Sequence, residues 1–311
     1  MDSTAASGLQ ALRAEASPLH DRQTVEDAFI ALARSCVRQW QGNVAGASQA
    51  EADEAAEFIH QIRVALRRLR SVLKVFAPAL PGAFTETWPQ HLRDNADRFG
   101  PARDLDVLRT ELLDAIAPEW LVGTVTFRDL IDVVDAERHA AHEAAKRALD
   151  PAEQARIILA FSADLLQLQG SGPDPGLKLA EFARERLIRA QRRARERFNA
   201  ASGLEPAQLH RLRISLKELR YAVEFFAPLF GRKTVRAYLE QLTQAQTLLG
   251  YLQDMEVARG WLAIWTHEAP SLSLVAGFVL GWHGPRYASF RSQVLENTRP
   301  VLWGSAPWKH R

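Results

Sequence analysis

The chain has 311 residues, 47% of them apolar, and its 39 Lys and Arg against 37 Asp and Glu give a formal net charge of +2. That composition supports one or two substantial cores, while the single cysteine, Cys36, excludes a disulfide scaffold and a multi-cysteine zinc site within one chain. The start, MDSTAASGLQALRAEASPLHDRQ, lacks the apolar stretch of a signal peptide and no run of about 20 apolar residues follows, so no membrane association and a reducing, cytoplasmic setting are expected.

Gly and Pro are modest and few segments alternate at period two, which predicts an all-α fold. Residues 1–22, small, polar and broken by Pro18, are expected to form a poorly ordered leader. A first helix over 24–40 buries Phe29, Leu32, Ala33, Cys36, Val37 and Trp40 and turns Arg34 and Arg38 to another side; 42–48 read as a loop. The next helix starts near residue 51, where Glu51, Asp53, Glu54 and Glu57 suit the positive end of a helix dipole. It stops at Pro78, because a proline pushes the preceding residue out of the α region. Helices over 84–99, with Arg93 and Arg98, and from 101, with Arg103, Asp104 and Asp106, come next. After Pro118, acidic helices cover 124–149 and 151–169. GSGPDPG at 170–176 is the clearest linker. The second half, 177–299, repeats the plan of the first, 23–169, with helices over 177–199, 206–227, 232–249, 251–267 and 272–297 before a tail, 300–311, that contains Trp303 and Trp308. The helix over 177–199 holds seven arginines between Arg184 and Arg197, offset only by Glu185 and Glu196.

One stretch occurs twice. Residues 60–78, HQIRVALRRLRSVLKVFAP, return as 210–228, HRLRISLKELRYAVEFFAP, with eight identities in 19 positions at a constant offset of 150, where ordinary composition gives about one by chance. The offset also aligns Ala33-Arg34 with Ala183-Arg184, and Leu92, Gly100, Asp104, Asp106 and Val107 with Leu242, Gly250, Asp254, Glu256 and Val257. An internal duplication several helices long is therefore expected.

At about 100° per residue, His60, Arg63, Arg67, Arg70 and Lys74 share an arc of about 80°. Ile59, Ile62, Leu66, Leu69, Leu73 and Phe76 fill the adjoining arc of about 100°, the width of a core-facing stripe. Arg68 falls outside both and is expected in solvent. The second copy sets His210, Arg213, Lys217 and Arg220 beside the same kind of apolar arc, with Glu224 reversing the charge of Lys74. A solvated face normally interleaves acids at i,i+4, yet none occurs between residues 58 and 77. The cations are 33 Arg and 6 Lys, and a guanidinium fork suits bidentate phosphate recognition. From Glu111 to Glu143 eight acids face two bases, so a basic and an acidic face are expected to coexist.

The pattern H-x-x-R-x-x-x-[RK]-x-L-R in each half, followed by G-x-x-x-D-x-[DE]-V, resembles the CHAD family, the conserved histidine α-helical domain, over residues 24–299. The resemblance implies two helical bundles related by a pseudo-twofold axis, with a basic pore or groove between them that binds inorganic polyphosphate. It also implies an association with polyphosphate granules. With no room for the triphosphate tunnel domain to which some members are fused, a stand-alone member is expected. Carried over by position, the binding residues are His60, Arg63, Arg67, Arg70 and Lys74 with His210, Arg213, Lys217 and Arg220; Arg34, Arg103 and Arg184 stand behind them. No cofactor, metal or catalytic residue is expected.

Two rival readings remain. A metal-dependent phosphohydrolase needs carboxylates that converge near phosphate, and Asp104/Asp106 and Asp254/Glu256 sit at i,i+2 on different helix faces; salt bridges to the motif arginines suit them better. The motif histidines supply too few metal ligands by themselves, and His139 and His142, near Glu143, read as surface residues. A nucleic-acid binder is the second rival. Single-strand binders interleave aromatics with cations, whereas only Tyr221 lies near the basic arc, and no DNA- or RNA-binding motif is present.

Overall fold

The computed structural model describes residues 10–17, 19–49, 52–116, 125–168 and 177–309, without the side chains at 52–54, 83, 125 and 126. Pro118 and the 170–176 linker lie outside these residues. Among the described residues the regular structure is helical, without strands: α1 (Val25–Gln49), α2 (Ala52–Phe76), α3 (Gly82–Asp97), α4 (Gly100–Val107), α5 (Val125–Ala148), α6 (Pro151–Gln167), α7 (Leu179–Ala200), α8 (Pro206–Phe226), α9 (Arg232–Glu268) and α10 (Ser273–Trp303). A π-helical turn, Leu108–Leu113, extends α4. No helix among the described residues is long and apolar enough to cross a membrane.

Packing divides the chain into two compact units that interleave along the sequence rather than following its halves. One takes the residues up to Gly100 and from His142 to Leu179; the other takes Pro101–Ala141 and the chain from Ala180 onward.

In the first unit α1 and α2 pack along their length, with α3 against α2 and α6 against α1. The apolar arc of α2 enters this core as its periodicity predicts: Ile62, Leu66 and Phe76 are 0% exposed and Leu69 and Leu73 1%. At about 1.5–3 kcal/mol per buried large side chain, this arc anchors the helix without help from its cations. Phe29 meets Phe84 edge-on at 5.9 Å and Trp88 meets Phe161 at 4.9 Å. One polar cluster crosses the core. Gln154 accepts from Trp40 Nε1 at 3.0 Å and exchanges hydrogen bonds with Asn95 at 3.0 and 3.1 Å, which satisfies each buried amide.

Three expectations need correction here. Residues 42–48 are helix, not loop, because Gly46 is a packing contact: a Cβ there would lie 2.2 Å from the Phe58 ring. Asn43 is the second reason, as its amide donates to Gln39 O at 2.6 Å and to Leu12 O at 2.9 Å and accepts from Leu12 N at 3.0 Å. Those bonds also tie down the described part of the leader, where Leu19 is 5% exposed. Arg68 is half-buried instead of solvent-facing. It hydrogen-bonds Cys36, whose thiol burial pushes up to about 11, with Arg68 opposing.

The second unit contains α7 to α10 with α4, the π-helical turn and α5 as far as Ala141. Its core joins Leu105, Leu112, Leu113 and Leu130 to Met255, Leu262, Trp265, Val275 and Val279. The helices expected over 232–249 and 251–267 are one 37-residue helix, α9. Its buried positions run on through Leu242, Ala245, Leu249, Leu252, Met255, Ala258 and Leu262 at spacings of three and four, so Gly250 interrupts nothing. The last helix likewise continues to Trp303, past Pro285 and Pro300, and Trp308 is 1% exposed. The tail is therefore packed: Tyr238 donates to Val301 O at 2.9 Å, Arg195 to Leu302 O at 2.8 Å, and Tyr238 meets Trp308 edge-on at 5.0 Å.

The same local sequence of elements appears in each unit. A proline-containing 3₁₀ turn, Ala77–Ala79 after α2 and Ala227–Leu229 after α8, leads into α3 and into α9.

Candidate anion-binding site

On α2 the apolar and basic arcs adjoin, so the core holds the cations at fixed positions. His60, Arg63, Arg67 and Arg70 are half-buried and Lys74 is exposed. From His60 to Lys74 the row spans about 21 Å of helix. Within the first unit, a Cβ on Gly100 would lie 3.4 Å from Arg63 Nη1; the glycine leaves the guanidinium its room. α3 brings Arg93 near Arg70. Burial, then Arg93, pushes the Arg70 guanidinium down, and Asp97 and Asp94 oppose that.

On α8, in the second unit, Leu209, Leu212, Leu216, Leu219, Val223 and Phe226 are buried, and His210, Arg213, Lys217 and Arg220 are half-buried beside them. Each cation of this row has a neighbour to answer to. His210 Nδ1 hydrogen-bonds Gln253 Oε1; an amide oxygen only accepts, so the ring donates in this contact. Arg220 donates Nε to Glu224 at 2.8 Å and Nη1 to Gln246 at 3.1 Å, and Gln246 donates on to Leu216 O at 3.0 Å. Arg213 and Lys217 share the field of Asp254. Burial pushes that carboxyl up, Arg213 and Lys217 pull it down, and Glu111 and Asp104 push it further up. Asp104 and Asp254, 150 residues apart, thus meet in one electrostatic neighbourhood of the second unit.

The acids of the motif divide their duties. Asp254 feels the charges of Arg213 and Lys217, but Asp106 accepts from Arg138 Nε at 2.7 Å, and Glu256 pairs with Arg259 at 3.3 Å and accepts from Tyr287 at 2.8 Å. Arg138 and Tyr287 come from other helices, and no periodicity announces them.

The three secondary candidates scatter. Arg34 is exposed on α1. Arg103 pairs with Glu111 at 3.4 Å. Arg184 lines a cavity of about 450 Å³ with Gly231, Thr234, Gln241 and Ser305, which includes no α8 motif residue. Much of the basic charge of α7 is committed: Arg189 to Glu185 at 2.6 Å, Arg193 to Glu218 at 3.5 Å, and Arg195 to Leu302 O and the Trp303 ring. Gln246, Gln253 and Glu224 were missed as partners. Glu224 alone had a local signal, its i,i+4 spacing from Arg220.

Residues 31–263 match the CHAD domain model, and the chain belongs to the CHAD domain family. A crystal structure of the CHAD domain from the plant Ricinus communis superposes with a TM-score of 0.80 at 29% identity, covering 96% of this chain and 99% of that one. Uncharacterized protein Rv2226 of Mycobacterium tuberculosis strain H37Rv is 30% identical over 216 residues, 66% of this chain. Uncharacterized protein MT2285 of strain CDC 1551 is 29% identical over the same length. The match takes in 40% of each of these two relatives.

Proposed function

We propose that the chain binds inorganic polyphosphate through the cation rows of α2 and α8 and does not hydrolyse it. What carries this reading is the pairing of arcs. On both helices a row of Arg, Lys and His lies directly beside residues sunk in a core, so the cations stand in a line before any ligand arrives and less order is lost on binding. A ligand charged at every unit and without bases suits repeated guanidinium forks; it has no use for the aromatic platforms of single-strand nucleic-acid binders. A cytoplasmic setting on polyphosphate granules belongs to the same proposal. The rival reading, a hydrolase, needs carboxylates that converge on a phosphate-bound divalent ion; among the described residues no three His, Cys, Asp or Glu stand close enough to hold one.

Titration with medium-chain polyphosphate at two salt concentrations, with duplex DNA and RNA as competitors and phosphate release followed in parallel, tests both readings. The expected result is salt-sensitive binding that nucleic acid displaces poorly, with no phosphate released. Divalent-dependent release would establish the hydrolase, and easy displacement by DNA or RNA would reduce the rows to a general polyanion surface.

A further inference from the structure

Arg184 stands apart from both cation rows. It lines a cavity of about 450 Å³ in the second unit, between α7, the start of α9 and the packed tail, a volume typical of small-ligand pockets. Its Nε is buried and has no hydrogen-bond partner among the described residues. A guanidinium nitrogen taken out of water and left without an acceptor costs free energy, and each such orphan in a folded chain calls for a partner. None of the described residues that line the cavity is Asp or Glu, so no carboxylate of this lining answers the charge.

The neighbouring backbone adds to the same sign. α9 begins at the cavity with Gly231, which supplies no side-chain cap, and its first turn holds no acid but does hold Arg232 and Lys233, where the helix dipole favours anions and disfavours cations. The first backbone bond into this helix runs from Val235 N to Gly231 O at 3.0 Å, so the amides of Arg232, Lys233 and Thr234 have no acceptor within it. A helix end is no site by itself; the unpartnered guanidinium that shares the cavity with this one makes it so. Much of the remaining wall is apolar. Leu229, Phe230, Ala237 and Pro307 line it, and Tyr238, whose hydroxyl donates to Val301 O at 2.9 Å, offers its ring. One guanidinium among carbon walls suits neither a polyanion, which would press most of its charges against carbon, nor a neutral apolar molecule, which would leave Arg184 unanswered.

We propose that this cavity binds a small organic acid, a molecule with a single carboxylate or phosphate-monoester head and an apolar body. The head accepts from Arg184 Nε and one of its Nη groups, the bidentate geometry that a guanidinium fork gives to both kinds of oxyanion. The body lies against Leu229, Phe230 and the Tyr238 ring. The site is separate from the rows of α2 and α8 and takes a different class of ligand.

Calorimetric titration of the full chain tests this with benzoate and phenyl phosphate as probes, two heads on one apolar body, with inorganic phosphate as the bare head and benzamidine as the cationic counterpart. Benzoate or phenyl phosphate should bind at a single site with a Kd on the order of 0.1–1 mM, and the tighter of the two identifies the head. Inorganic phosphate should bind about tenfold more weakly and benzamidine not at all. Arg184→Gln should weaken the probe about tenfold or more. Ala237→Leu, at an exposed position, narrows the cavity and leaves the guanidinium in place; it should lose the probe at unchanged Tm. Arg213→Glu should leave probe binding as it is. No binding of either organic acid, equal affinity for inorganic phosphate, or a probe lost in Arg213→Glu and kept in Arg184→Gln, which would seat it on the α8 row, would each overturn the proposal.

Discussion

Glu224 stands where the first row carries Lys74, and its carboxylate already holds Arg220. A phosphate that reaches Arg220 competes with this anion. The pair is partly exposed and worth about 0.5–1 kcal/mol, enough to weaken the contact without abolishing it. Glu224→Lys should therefore tighten polyphosphate binding by about 3–10-fold at low salt and steepen the salt dependence by about one ion, with Glu224→Gln between it and wild type; titrations at two salt concentrations read both effects. Weaker binding in the Lys variant would show instead that Glu224 positions Arg220. At this scale the sequence was informative wherever a signal repeats every three or four residues. Arg63, Arg67 and Arg70 declared themselves that way. Gln246 and Gln253 did not, because they reach Arg220 and His210 from 26 and 43 residues away, and an amide in a mixed helix face carries no mark of what it will meet.

Among the elements, the errors fell where a glycine was read as punctuation. Gly46 sits inside α1 because Phe58 fills the space a side chain would take, and Gly250 sits inside α9 because the buried positions continue past it. A glycine that ends a helix and one that admits a neighbour look alike without tertiary contacts. The difference is measurable at Gly46. Gly46→Ala forces a methyl into the ring of a residue 3% exposed, at a cost of about 1–3 kcal/mol. Thermal unfolding should show Tm lowered by several degrees; an unchanged Tm would mean that α1 and α2 separate there at little cost. The helix ends before Pro78 and Pro228 were placed correctly but for the wrong reason. Ala227, which precedes Pro228, keeps α-region angles, φ −48° and ψ −43°; the chain tightens into a 3₁₀ turn at both prolines, which have no N–H to continue the α-helical bonds.

For the whole molecule, the helical class was plain from composition and periodicity, and the family followed from a motif written twice. The composition of the packing units was not. α4, the π-helical turn and most of α5 join the second unit, a choice made by Leu105, Leu112, Leu130 and their partners on α9 and α10. Such long-range pairings leave no trace in local pattern. The arrangement puts Asp104 and Glu111 near Asp254, Arg213 and Lys217, so the row on α8 is more heavily answered by acids than its sequence alone suggests. Both rows nevertheless share one construction, cations fixed by an adjoining buried arc. The most direct measurement is the polyphosphate affinity of Arg63→Glu combined with Arg213→Glu, read beside the far-UV circular dichroism of the same sample. Affinity reduced by about 100-fold or more, about 2.7 kcal/mol, at unchanged helicity is the predicted result; wild-type affinity in the folded double variant would contradict binding through these two rows.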